Sequence, residues 1–319
     1  MPCPGNCRRE QRGEIMIMPL LGCIADDYTG ATDLCSMLVR SGLRVVLCFG
    51  IPSEHDSLHD ADAVVIAMKS RSIAAADAIE QSLASLRFLQ SLRIERFFFK
   101  YCSTFDSTPR GNIGPVADGL AEALNVSQLV FCPAFPENGR TVYQGWLFVG
   151  SEPLHESGMK VHPLNPMTDS SLVRWLGLQS TRQVHRLPLE KSSLACEHGH
   201  YIADAISDAD LRRIAEIARE HQLLSGGSAI ARHWAEVIFA DKPRRGVLHD
   251  DITRPRIPFA GNQAVTSLMF FEMKRNPPHF FFMKPIGTPP RSMIIDRRRT
   301  LQISVWPLLT GSSRSTYTA

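Results

Sequence analysis

LLGCIADDYTGATDL, residues 20–34, decides the fold. LLGCIA (20–25) is a short apolar run, and DDYTG (26–30) interrupts it with two carboxylates, two hydroxyls and a glycine. The chain resumes in ATDLCSMLVRSG (31–42), where Leu34, Leu38 and Val39 recur at helical spacing and Gly42 supplies a stop. A buried strand handing over to an amphipathic helix across one polar turn is the opening of a βα unit.

Working outward, the alternation repeats. LRVVLCFG (43–50) and ADAVVIAMKS (61–70) are β-rich runs, residues 73–93 are strongly helical, RFFFKYC (96–102) is a strand, GNIGPVADGLAEALN (111–125) a helix and QLVFCPAF (128–135) a further strand. Continuous apolar strands separated by amphipathic helices predict an α/β fold, a parallel sheet with helices on both faces. Periodicity weakens from Ser151 to His200, except for a helix start with Pro166 before it and Thr168 or Asp169 as N-cap. YIADAI (201–206) then reads as a strand and DADLRRIAEIAREHQ (208–222) as a helix. LLSGGSAIARHWAEVIFA (223–240) reads as strand, glycine turn and helix. Beyond Ala240 no alternation is legible.

The loops leaving the strand C-termini of such a sheet gather on one edge, where ligands bind. Four polar clusters fall there: DDYTG (26–30), KSRS (69–72), KYCSTFDSTPRGN (100–112) and PENGRTVYQG (136–145). Asp26 and Asp27 leave a strand in different directions. One carboxylate suits a substrate hydroxyl or Mg²⁺, and the other suits loop order, with Thr29 and Gly30 starting the helix. Lys69 and Arg71 offer cations for a small anion. Lys100, Ser103 and Asp106, with neighbouring hydroxyls, suit a polyhydroxylated acid, because each hydroxyl both donates and accepts. Asn138 and Arg140 extend the edge, unless Glu137 and Arg140 merely pair with each other. Gly226, Gly227 and Ser228 lie between an apolar run and a helix, a geometry suited to phosphate, although no Walker A lysine follows. A dinucleotide-binding dehydrogenase is disfavoured, since no GxGxxG follows the first strand.

Composition bounds the rest. At 319 residues and 35.5 kDa the chain suits about two domains of ~100–200 residues. No window approaches the ~18–20 apolar residues of a membrane span, and residues 1–22 lack a signal-peptide core, so the reading is cytoplasmic. Eight cysteines with no CxxC pair, several inside apolar runs, read as reduced core thiols, and Cys3 and Cys7 lack the further ligands a metal needs. Residues 241–319 hold 13 Lys or Arg against 5 Asp or Glu, and 9 of the 21 prolines. That tail has neither amphipathic periodicity nor aromatic spacing, so nucleic acid is not the expected partner.

Taken in order, LLGCIADDYTGATDL, KSRS, FFFKYCSTFDSTPRGNIGPVADGL, CPAFPENGRTVYQGWLFV, ESGMKVHPLNPMTDSSLVRWL and LLSGGSAIA resemble the four-carbon acid sugar kinase family, in its 3-oxo-tetronate branch. The resemblance covers roughly residues 18–240. It implies ATP- and Mg²⁺-dependent phosphorylation of the C4 hydroxyl of a four-carbon sugar acid. Asp27 and Asp106 become the catalytic candidates. Asp26, Thr29, Gly30, Lys69, Arg71, Lys100, Ser103 and Arg140 become substrate-binding. Gly226, Gly227 and Ser228 become the ATP contact, with Ala229 where the family usually has glycine.

The implied domains are an extension (1–17), a substrate-binding domain (18–222) and a remnant of a nucleotide-binding domain (223–319) that reads as incomplete. In that arrangement Ile230, Trp234, Val237 and Ile238 are expected to be partly exposed, and the activity is expected to suffer. A non-catalytic sugar-acid-binding module is the alternative. The partners expected are a sugar acid and ATP, with the oligomeric state, a homo-oligomer included, left open.

Overall fold

The computed structural model describes residues 19–52, 58, 61–195 and 198–240, with the backbone of 268–271. The opening stretch becomes β1 (Leu21–Ala25) and α1 (Tyr28–Arg40), followed by β2 (Val45–Phe49) and β3 (Ala63–Ala67). Then come α2 (Ala75–Ser91), β4 (Arg96–Lys100), α3 (Ile113–Ala123) and β5 (Gln128–Cys132). A small antiparallel sheet of β6 (Arg140–Tyr143), β7 (Trp146–Val149) and β8 (Glu152–Pro153) interrupts the alternation. The order resumes with α4 (Leu172–Gly177), β9 (Val184–Leu187), β10 (Gly199–Ala203), α5 (Asp208–Ile217), β11 (Leu223–Gly226) and α6 (Ser228–Ile238).

Eight strands form one parallel sheet in the order β2-β3-β1-β4-β11-β5-β10-β9, and the backbone of β12 (Leu268–Phe271) pairs antiparallel with β2. β1 and β3 are buried along their whole length, as their uninterrupted apolar sequences require when both faces are covered. Helices α1, α5 and α6 pack together, and α2, α3 and α4 form a second group. From β1 the chain goes out to β2, returns to β3 between them, then crosses over β1 to β4 on the other side. The reversal lies at β1 and β4, and the crevice at such a switch is where open α/β sheets hold ligands.

Two expectations are corrected. Leu223–Gly226 is not the opening of another domain: β11 lies inside this sheet, parallel to β4 and to β5. All four of its residues are buried, and Gly226 lets the Cys132 main chain approach, where a Cβ would stand 3.0 Å from the Cys132 carbonyl carbon. The boundary drawn at 222/223 therefore cuts through the sheet. Consequently α6 covers it: Ile230 and Trp234 are fully buried, Val237 nearly so, and Ile238 partly. The Trp234 indole lies 6.4 Å from the Phe98 ring of β4 and donates to the Ala218 carbonyl at 2.9 Å.

Two smaller differences have local causes. Helix α4 starts at Leu172 instead of beside Thr168. Asp169 accepts from the Ser171 amide (2.8 Å) and from Arg174, organising the turn before the helix. The β6–β7 hairpin, hidden in a polar stretch, turns at Gln144 and Gly145, both with positive φ (52° and 77°). The expectations for residues 1–17, Cys3 and Cys7, and those for the tail beyond Ala240, lie outside the described residues, apart from the β12 backbone.

Candidate functional site

Because the strands are parallel, the loops after β1, β3, β4 and β11 converge at one edge. Main-chain hydrogen bonds stitch them together: Asp26 N–H to Lys100 O (3.1 Å), Ser70 N–H to Asp26 O (3.0 Å) and Tyr101 N–H to Gly226 O (3.1 Å). The loop after β3 is aimed by Asn112, whose side-chain amide donates to the carbonyls of Ser70 (2.7 Å) and Ile73 (2.9 Å).

Arg71 stands at the centre. Its Nε and one terminal nitrogen grip the two oxygens of Asp26 at 2.8 and 2.9 Å. That nitrogen also lies 2.8 Å from Asp27 Oδ1, and the other donates to Asp106 Oδ2 at 3.1 Å. Three carboxylates from two loops thus share one guanidinium. Burial pushes the Asp26 carboxyl above the ordinary carboxylate range, and Arg71, with Lys100 behind it, pulls it only part of the way back. Burial would lower the Arg71 guanidinium, but the hydrogen bonds and charge of Asp26, with Asp27, outweigh it and hold Arg71 charged.

The two adjacent aspartates do have different surroundings. Both Asp26 oxygens are spent on Arg71. Asp27 caps α1, its Oδ1 accepting the Gly30 amide at 3.0 Å, while its Oδ2 has no partner among the described residues. A Cβ on Gly30 would stand 2.9 Å from Lys100 Nζ and crowd the Asp27 carboxylate, so one of those side-chain ends would have to shift. Lys100 is buried and donates to the Tyr101 carbonyl at 2.7 Å.

Asp106 is presented by strained backbone. Phe105 has φ 54°, a left-handed value unfavourable for a side chain with Cβ, and its ring is fully buried 5.1 Å from that of Tyr101. Behind Asp106, the Ser107 hydroxyl donates to Phe105 O (2.8 Å) and accepts from Trp175 Nε1 and Gln179 Nε2, each at 3.0 Å. In front, Asn165 Nδ2 donates to Asp106 Oδ1 at 2.9 Å. Asn165 and its neighbour His162 escaped the sequence reading. Their only signal was a His and an Asn among prolines, in a segment without periodicity.

Other candidates lie apart from this cluster. Thr29 is exposed, and Lys69 sits on the rim with Nζ 5.0 Å from the Tyr28 ring centre. Ser103 neighbours the glycine turn, 3.7 Å from where a Cβ on Gly227 would stand. Arg140 donates to the Asn138 carbonyl at 2.5 Å in the small sheet, and no contact among the described residues joins it to Arg71. Glu137 pairs with Arg40 at 3.1 Å and not with Arg140.

Gly226, Gly227 and Ser228 reach the same edge but are buried, and their groups are engaged. The Gly227 amide donates to Cys132 O at 3.0 Å, and the Ser228 hydroxyl donates to Asp33 of α1. The Gly227 amide and the Ser228 hydroxyl are thus taken up inside the chain. The described residues contain no group of three or more His, Cys, Asp or Glu arranged for a metal ion. Cys23, Cys35, Cys48 and Cys132 are free and buried, and burial pushes the Cys48 and Cys132 thiols up to about 12, so neither is a nucleophile near neutrality. No described helix is long and apolar enough to cross a membrane.

A doubly wound α/β domain with a charged, hydroxyl-rich cluster at its switch point is the class that this geometry defines. A family model described as the sugar-binding N-terminal domain matches residues 21–234, and the chain belongs to that family. It is 51% identical over 226 residues to a Burkholderia multivorans protein named 3-oxo-tetronate kinase, covering 67% of this chain and 53% of that one. An Escherichia coli K12 protein of the same name is 45% identical over 234 residues, covering 68% and 60%. The chain spans about half the length of the curated relatives it matches.

Among solved structures, a Haemophilus influenzae protein superposes with a TM-score of 0.65 at 39% identity, covering 69% of this chain and 57% of that one. A Bordetella bronchiseptica domain of unknown function, crystallised with bound citrate as a domain-swapped dimer, gives 0.61 at 26% identity, covering 70% and 58%.

Proposed function

We propose that this chain is the sugar-acid-binding part of a cytoplasmic kinase that transfers the γ-phosphoryl group of ATP to the C4 hydroxyl of a 3-oxo-tetronate or related four-carbon acid. One observation carries the reading: the 51% identity to a protein named 3-oxo-tetronate kinase runs over 226 residues, and the family match contains the whole Arg71 cluster. Phosphoryl transfer is mainly positioning and charge neutralisation, and the cluster is assigned the acid's half of that task. Asp27 accepts the hydrogen of a substrate hydroxyl through its open Oδ2, while Arg71 fixes Asp26, Asp27 and Asp106 relative to one another. Lys69 and Ser103 provide rim contacts, and ATP and Mg²⁺ are the co-substrate and counter-ion of the proposed reaction. No step is assigned to a residue through either of them.

The alternative, a sugar-acid-binding module without phosphotransfer, is favoured by the engaged Gly227 amide and Ser228 hydroxyl. Isothermal titration of the chain with a tetronate and with Mg·ATP, followed by a coupled ADP assay, separates the two. Binding of both ligands with ADP release supports the kinase. Binding of the acid alone supports the module. Binding of neither refutes the site.

A further inference from the structure

We infer that His162 is a ligand-contacting residue of this site, donating a hydrogen bond from Nε2 to a hydroxyl or oxo oxygen of the sugar acid; this rests on the function proposed above. The inference starts from a donor shortage. Asp26, Asp27 and Asp106 offer acceptors only, and most Arg71 and Lys100 donors near them are already used inside the chain. A sugar hydroxyl that donates to a carboxylate also needs a donor for its own lone pairs.

The turn after the small sheet brings one. His162 Nδ1 lies 3.9 Å from Asp106 Oδ1, and the same Nδ1 accepts the backbone N–H of Asn165 at 3.1 Å. An amide cannot be the acceptor in that pair, so Nδ1 carries no hydrogen, and the neutral ring has its hydrogen on Nε2. No group among the described residues takes the Nε2 hydrogen. The side chain is 31% exposed beside a carboxylate that is 10% exposed, so the ring stands at the mouth of the cluster and is not packed beneath it. Asn165 fixes both partners, through its backbone to His162 and through its side chain to Asp106. One turn thus sets the imidazole beside the Asp106 carboxylate, with its hydrogen-free Nδ1 turned to the chain and its Nε2–H left for a hydroxyl or oxo oxygen.

The test is titration of wild type, His162→Phe and His162→Gln with a tetronate and with its 2-deoxy and 3-deoxy analogues, alongside thermal melts. His162→Phe is expected to raise the tetronate Kd roughly tenfold; it also removes the acceptor of the Asn165 amide, so the melt falls slightly and the ligand contact is read from the analogues and from His162→Gln. The same variant should leave unchanged the Kd of whichever deoxy analogue lacks the contacted hydroxyl, and His162→Gln, which keeps an amide donor at similar reach, should recover most of the affinity. An unchanged tetronate Kd in His162→Phe overturns the inference. So does equal weakening of all three ligands, or failure of His162→Gln to recover. If wild type binds no tetronate, the proposed function itself fails, an outcome visible before any variant is made.

Discussion

The Ser228 hydroxyl donates to the Asp33 carboxylate across 195 residues of sequence, tying the first turn of α6 to α1. Ser228 is 1% exposed, so its oxygen serves the packing of two helices on one face of the sheet. In a double-mutant cycle, Ser228→Ala and Asp33→Ala should each lower stability by about 1 kcal/mol, and the double variant should lose little more than either. Chemical denaturation of the four proteins checks this. Fully additive losses would mean the two residues are not coupled.

Asp27 and Arg71 should separate by phenotype. Asp27→Asn keeps an N-cap as good as the original, so its melting temperature should hold while tetronate binding weakens by about 1.5–3 kcal/mol. Arg71→Ala strands the buried Asp26 and should cost about 3 kcal/mol or more in stability. Titration and melts of the two variants decide the matter. A strongly destabilised Asp27→Asn with unchanged affinity would reverse the assignment.

Gly226 and Gly158 make a matched pair. A Cβ at Gly226 meets the Cys132 main chain, whereas one at Gly158 meets nothing within 4 Å. Gly226→Ala should therefore lower the melting temperature by several degrees or abolish soluble expression, while Gly158→Ala should be neutral. Equal melts would mean that β11 and β5 can part without loss.

Acid should weaken the fold through two histidines, one half-buried and one buried. Burial, with Arg96 nearby, lowers the His221 pKa from its ordinary 6.5, and burial likewise lowers that of His233. With a depressed folded value, the stability each contributes is present above about 6.5 and is lost as pH falls toward the folded pKa, because only the unfolded chain takes up the proton there. The melting temperature should fall between about pH 7.5 and 5.5, and His221→Gln should flatten that fall. Parallel pH profiles for the two proteins would rule His221 out as a contributor.

The sheet was legible in the sequence because its strands are buried on both faces and so carry apolar runs, AVVIA of β3 and the FFF of β4 among them. The loop cluster was legible for the same reason, since parallel strands send Asp26, Arg71, Lys100 and Asp106 to one edge. Three things were not. The partition of roles between Asp26 and Asp27 depends on where Arg71 points. His162 and Asn165 enter through an aperiodic turn that carries no strand or helix signal. The place of LLSG in the sheet order is a matter of topology, and local pattern cannot distinguish an interior strand from the first strand of another domain.

That place in the order has a consequence for how the chain is made. β4 ends at Lys100, yet the neighbour it shares with β5 is not complete until Gly226. At ~5–20 residues per second, β4 and β5 leave the ribosome roughly 5–25 seconds before the strand that joins them, each with an unpaired edge. Nascent chains stopped short of Gly226 therefore leave those edges open, and the centre of the sheet closes only once β11 is made.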